Sequence, residues 1–279
     1  MKLFFGGSLG GEVETVRDLR RGRIQGWGGS TAALAEGAGM PEFQLMEFPF
    51  IFNNLDEADH ILDNVVRDDF ASLLEKKGFT FGFWHENGWR SFATKDKPVK
   101  TIADLQKMKM RSQESPVHLA MYKALGTQAE SIPVPEVLGA LQTGMVDGFD
   151  NTPLFSAATG WYEGVKFYST SEHIYQPAVI VYSKKFIDSL PEELRKVVLA
   201  NGQKEAAAGR AAVRAMRDSL LQNFRDAGLT VYEMSAAERK PFAEATRKVH
   251  TEFAGQVGKA LLDKVYKALE AYRAGKAGK

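Results

Sequence analysis

Two eight-residue stretches of this chain match in register 122 positions apart: Leu19-x-x-Gly22-x-Ile24-x-Gly26 and Leu141-x-x-Gly144-x-Val146-x-Gly148. In each, an apolar helix residue precedes a glycine suited to a left-handed cap, then a β-branched strand residue and a second glycine. Two helix-to-strand units so far apart in a chain of 279 residues predict two α/β halves on similar plans. The pattern also fits a generic helix-to-strand connection used twice.

The rest of the chain fills in around these units. Lys2–Phe5 reads as a short strand and Gly6–Gly11 as a glycine-rich turn; no Gly-Lys-Ser/Thr follows, so the turn is no phosphate loop. Val13, Val16 and Leu19 share one helical face, Gly22 ends that helix, and Ile24 opens a strand. An amphipathic helix is predicted near 56–66. Aromatic strands follow at Gly78–Trp84 and, separately, from Ser91 to Thr94. A short helix at Ile102–Met108 leads to a strand at Lys109–Arg111. Ser115-Pro116 places a serine N-cap before proline at the first helical position, and Gly126 closes that helix. Ala178–Tyr182 reads as a buried strand. After Ser189 one helix is predicted to run to about Ala227, and Ser235-x-x-Glu238 is a capping box that launches helices to about Arg273.

Composition removes whole classes of function. A net charge of +1 provides no field for nucleic acid. The chain has no cysteine, hence no disulfide, zinc–thiolate or thiol chemistry. His60, His85, His118, His173 and His250 lack metal-ligand spacing, and no EF-hand pattern occurs. No metal and no cofactor is expected. No apolar run reaches the length of a membrane-spanning helix.

What remains is a binding argument, carried by Asn87–Pro153. Arg90 and Arg111 each end a short apolar or aromatic run, and Asn151 follows the strand-like VDGF segment just before Pro153. Ligands of open α/β sheets bind beyond the carboxyl ends of strands, and planar, bidentate carboxylate recognition is what arginine does best. Arg111 also fits an exposed edge position, Trp89-Arg90 a stacking pair, and Asn151 a turn former. Trp27, Trp84, Trp89 and Phe149 are candidates to line an apolar pocket, and Asp150 lies beside the same strand end.

The run KMRSQESPVHLAMYKALG followed by ALQTGMVDGFDNTP resembles the DctP-type solute-binding proteins of TRAP transporters. So do GGSLGGEVETVRDLRRGRIQG, PEFQLMEFPFIF and SLPEELRKVVL, in the same order from about Lys2 to the C-terminus. The resemblance implies an α/β fold: a two-lobed, periplasmic binding protein-like clamp with mixed sheets, a hinge between lobes and a long helix spanning both. It implies lobes of 1–88 plus 178–216 and 89–177 plus 217–245, with 246–279 as a C-terminal helical segment. By the same resemblance Arg111 pairs with a ligand carboxylate and Arg90 and Asn151 fix neighbouring oxygens. Phe149 and Asp150 share that site, and the Trp27–Thr31 loop, with Ser30, faces them from the other lobe. The implied partners are a small-molecule carboxylate and integral-membrane TRAP permease subunits, and the implied location is the periplasm. Two departures from the family pattern stand out. A strand–helix unit of roughly 30 residues and a leader that precede Lys2–Phe5 in the family have no counterpart here, so an unpaired edge is expected in the first lobe's sheet. Ser183 stands where asparagine is frequent.

Overall fold

Two long antiparallel strands carry the architecture. The structure, a computed structural model, describes residues 2–200 and 202–277. In chain order the first part reads α1 Glu12–Arg20, β1 Gly26–Ser30, α2 Thr31–Ala38, a 3-10 segment Pro41–Glu47, α3 Leu55–His60, α4 Arg67–Lys76 and β2 Phe79–Thr94. Then come α5 Ile102–Leu105, β3 Lys109–Ser112, α6 Pro116–Ala124, β4 Gln128–Ser131, α7 Val137–Thr143, β5 Gly148–Asn151, α8 Pro153–Ala158 and β6 Phe167–Ser183. The last part is α9 Lys184–Ser189, α10 Glu192–Leu199, α11 Gly202–Asp226, β7 Thr230–Tyr232, α12 Ala236–Phe253 and α13 Lys259–Ala277.

One seven-stranded mixed sheet, ordered β1-β6-β2-β5-β3-β4 with β7 added to β6, runs through both halves. β2 and β6 pair from Phe79–Ser183 to Thr94–Phe167. At one end β1 pairs with Ala178–Tyr182 of β6. At the other, β5 pairs with Ser91–Thr94 of β2, and β7 with Phe167–Ser169 of β6. The two strands expected at Gly78–Trp84 and Ser91–Thr94 are therefore one strand of 16 residues. The Glu86-Asn87-Gly88 segment between them bulges instead of turning back: Gly88 adopts φ +102°, and the register shifts there without ending the ladder.

The matching stretches occupy equivalent places. Gly22 and Gly144 both take left-handed φ after their helices, at +75° and +76°, and β1 and β5 begin at Gly26 and Gly148. At Gly148 a Cβ would collide with the Ala93 carbonyl of β2, so close strand approach there requires glycine. Lys2–Phe5 does not form the expected strand. No segment among the described residues pairs with it, Leu3, Phe4 and Phe5 are exposed, and the outer edge of β1 carries no strand. An isolated strand has no hydrogen-bonded partner to hold it extended.

The helix expected from Ser189 to Ala227 is divided. Leu199 ends α10, and Ala200 is extended (ψ 151°) before α11 starts at Gly202. α10 buries no residue, whereas α11 lies on the sheet. At 25 residues α11 is about 37 Å long, enough to cross both halves. Arg210 and Arg214 reach Asp59 of the first half, while Leu221 and Phe224 enter the second half's core with Phe149 and Trp161. The first half's core, with Phe43, Phe48, Phe70 and Trp84, also takes Val249 and Phe253 of α12 and Val265 and Leu269 of α13. Each such side chain contributes about 1.5–3 kcal/mol of burial.

α1 and α2 pack closely enough to present their N-termini side by side. A Cβ on Gly37 would lie 2.6 Å from Val16 Cβ and 2.8 Å from the Val13 carbonyl oxygen. Gly37→Ala is expected to cost about 1–3 kcal/mol through overpacking, read as a lower urea midpoint at unchanged slope. An unchanged midpoint would mean that the helices separate without penalty.

Candidate functional site

The strand ends read from the sequence do converge. Arg90 leaves β2 just before the register shift that separates it from Phe92, and Asp150 and Asn151 end the neighbouring β5. Arg90 Nε donates to Asp150 Oδ2 at 2.6 Å, and Nη2 donates to the Asp150 carbonyl. Its Nη1 faces the side-chain oxygens of Gln113 (3.0 Å), Gln176 (3.0 Å) and Asn151 (3.3 Å). Asp150 is equally occupied: Tyr122 donates its hydroxyl to Oδ1 at 2.8 Å, and His173 Nε2 lies 3.3 Å from Oδ2. Burial alone would raise the Asp150 pKa, but the charge of Arg90 and the His173 contact hold it well below the usual carboxylate range. Asp150, expected in the cleft, therefore lies behind it with both oxygens engaged.

Arg111 stands differently. It sits on β3, parallel to β5, and is 2% exposed. Nε donates to the Ile132 carbonyl at 2.9 Å and the guanidinium lies over Trp161, 4.8 Å from the ring centre. Nη1 and Nη2 have no acceptor among the described residues, and no carboxylate lies within salt-bridge distance. Burial, then the like charge of Arg90, pushes the guanidinium down to about 10. Phe149, also expected in the cleft, points into the core and packs edge-on against Trp161, so it supports the ring that carries Arg111.

The opposite wall comes from the first half. The Gly6–Gly11 turn rests on 133–135: a Cβ on Gly7 would be 3.6 Å from Val134, and one on Gly11 would be 3.6 Å from Pro133 and 3.8 Å from Glu114 Oε2. The next residue, Glu12, accepts from Ser30 N at 3.1 Å and Ser30 Oγ at 3.3 Å. Ser30 in turn caps α2 by accepting from Ala33 N. Trp27 is half-buried beside this pair, its indole donating to Thr15 Oγ1 at 3.0 Å. Burial pushes the Glu12 carboxyl up; Ser30 and Arg111 pull it back without cancelling the shift. Burial raises Glu114 likewise, against the pull of Arg111 and Arg17.

Glu47 is the hub that sequence reasoning missed. Its Oε1 accepts from Thr31 Oγ1 (2.8 Å) and Ala32 N (2.7 Å) at the start of α2. Its Oε2 accepts from Gln176 Nε2 (2.8 Å) and Gln113 Nε2 (3.0 Å) and lies 2.9 Å from His118 Nε2. Burial works against its charge, but His118, Arg90 and Gln176 more than offset this, and its pKa is lowered. The available signal was a lone acid in the apolar run FQLMEFPFIF. Gln113, Gln176 and Glu12 gave none.

Two halves that share one mixed sheet, with a buried arginine whose Nη1 and Nη2 lack acceptors among the described residues, define a two-lobed, binding protein-like architecture. The chain belongs to the DctP family, bacterial extracellular solute-binding protein family 7, whose pattern matches residues 1–256. It is 30% identical over 246 residues to the 2,3-diketo-L-gulonate-binding periplasmic protein YiaO of Escherichia coli, covering 88% of this chain and 74% of that one. It is 29% identical over 249 residues to the C4-dicarboxylate-binding periplasmic protein DctP of Rhodobacter capsulatus, with the same shares. The crystal structure of the sugar acid binding protein DctPAm from Advenella mimigardefordensis with galactonate superposes with a TM-score of 0.90 at 28% identity, covering 97% of this chain and 86% of that one. The family is one of transport receptors, not of enzymes.

The buried histidines set an expected acid response. Burial lowers the pKa of His173, against the pull of Asp150, and that of His250, against the Pro49 carbonyl. With folded values below unfolded ones, the unfolded chain binds more protons once pH falls below about 6.5, and stability drops. The depressed carboxyls of Glu47 and Asp150 stabilise above their unfolded values and lose that contribution below about pH 4. Glu12 and Glu114, being raised, act oppositely above about pH 4.5. Urea midpoints are expected to fall between pH 7 and 5.5; a flat or rising profile would contradict neutral buried imidazoles.

Proposed function

We propose that this protein is the extracytoplasmic receptor of a TRAP-type secondary transporter, which captures a small organic acid through Arg111 and delivers it to membrane permease subunits. The observation that carries the reading is the pair of acceptor-less Nη groups on Arg111, in contrast to Arg90, whose guanidinium is paired with Asp150. A buried guanidinium is costly without an anion, and a carboxylate offers the matching two-oxygen fork. Arg90 and Asn151 then shape the site through the network, with Ser30 and Trp27 closing it from the other half. Galactonate in DctPAm and 2,3-diketo-L-gulonate in YiaO support an organic-acid ligand; the names of YiaO and DctP support the periplasm. Family membership supports permease subunits as the partner. An apolar ligand is disfavoured, because Phe149 and Trp84 are core residues and Arg111 makes no salt bridge that would neutralise it.

The two arginines separate in their response to substitution. Arg111→Met is expected to weaken D-galactonate or D-galacturonate binding by 100-fold or more, since losing one partner of a buried charge pair costs about 2–5 kcal/mol. The same change keeps or raises the unfolding midpoint, because it removes an uncompensated buried charge. Arg90→Met leaves Asp150 unpaired and is expected to cost about 3–5 kcal/mol of stability. Calorimetric titration and urea unfolding read both; carboxylate binding that survives Arg111→Met would end the anchor role.

A further inference from the structure

We infer that the cleft selects acids bearing one carboxylate and a hydroxylated tail, and that Glu12 is the residue that turns a second carboxylate away. The inference rests on the reading of Arg111 as the anchor and names the ligand class for that site.

The charges around the cleft are unequal. Of its two buried arginines, Arg90 is neutralised by Asp150, which leaves Arg111 to meet a ligand carboxylate. Three acids lie within electrostatic reach of these arginines: Glu12 and Glu114 of Arg111, and Glu47 of Arg90. Glu47 has all its acceptor capacity taken by five groups. Glu114 has no hydrogen-bond partner among the described residues and lies at the Gly11 turn. Glu12 holds only two contacts, both to Ser30, so each of its oxygens keeps acceptor capacity. Bare backbone lies beside it, because a Cβ on Gly29 would sit 2.6 Å from Glu12 Oε1.

A monocarboxylate on Arg111 would complete its fork and leave the remaining ligand between Arg111 and two acids. Hydroxyl groups there donate to carboxylates in charge-assisted hydrogen bonds. A second carboxylate would instead meet the like charge of Glu12 and of Glu114, the latter partly offset by Arg17. At about 5 Å and an effective dielectric near 20, that repulsion lowers affinity on the order of 100-fold. Sequence similarity does not separate the two classes, since a diketogulonate-binding and a C4-dicarboxylate-binding relative stand at 30% and 29% identity.

The test pairs acids of one carbon skeleton: D-galactonate against galactarate, and D-gluconate against D-glucarate, with succinate as a short dicarboxylate, titrated calorimetrically into the full chain. At least one aldonate should bind, with its dicarboxylate partner 30-fold weaker or more. Glu12→Gln should narrow that gap tenfold or more, with the aldonate still bound. Glu114→Gln, at a half-exposed position, should narrow it less, and it serves if Glu12→Gln lowers the unfolding midpoint. A dicarboxylate that binds as tightly as its aldonate, or a gap unchanged in both variants, overturns the inference while leaving the anchor intact. Binding of none of these acids, or binding insensitive to Arg111→Met, overturns the receptor reading and this inference with it.

Discussion

The ion pair between Arg90 and Asp150 is the contact on which the rest of the site depends. It joins β2 to β5 where both halves of the sheet meet, and neither side chain is more than 1% exposed. Burying two charges is not in itself stabilising, and similar pairs elsewhere are matched by apolar residues of the same volume. Its effect here is positional. With Asp150 held by Arg90, Tyr122 and His173, no carboxylate remains for Arg111 one strand away. The network thus produces one neutral arginine–aspartate unit and one uncompensated cation.

Glu47 extends this arrangement across the clamp. Its carboxylate touches the start of α2 in the first half and His118 and Gln113 in the second, with Gln176 on β6 between them. Gln113 and Gln176 also face Arg90 Nη1, so five elements converge on a few polar atoms. In such networks each group fixes the orientation of the next, and a half-satisfied network is worse than an apolar one. His173 follows the same logic: Ser171 Oγ lies 2.8 Å from Nδ1, which suits a neutral ring donating from Nε2 to Asp150.

Local chemistry was legible in the sequence; long-range pairing was not. Gly22 and Gly144 announced left-handed caps, and Ser115 and the Ser235–Glu238 box announced helix starts, because those signals act over a few residues. Arg111 and Arg90 looked alike because each follows a short apolar run. What distinguishes them is Asp150, 60 residues from Arg90 in the chain. Asp150 and Phe149 were placed in the site because they adjoin Asn151 at the strand end, and position on a strand does not say which of its faces other elements cover. Glu12 and Glu47 escaped because a buried acid is identified by its donors, and these come from distant segments. The continuity of β2 through Glu86–Gly88 was not legible, because glycine serves turns and bulges equally.

The long pairing of β2 with β6 has a mechanical consequence. A hinge made of two separate loops lets the lobes rotate about several axes. Here the two connecting segments pair with each other from Phe79–Ser183 to Thr94–Phe167, through three register shifts, so they twist and bend together, as a ribbon. α11, tied to Asp59, Glu86 and Glu172 by Arg214 and Arg217, lies along that ribbon as a stiffening rod. The orientations open to the halves are thereby reduced towards one mode before any ligand arrives. Less orientational entropy is then left to lose when the cleft is filled.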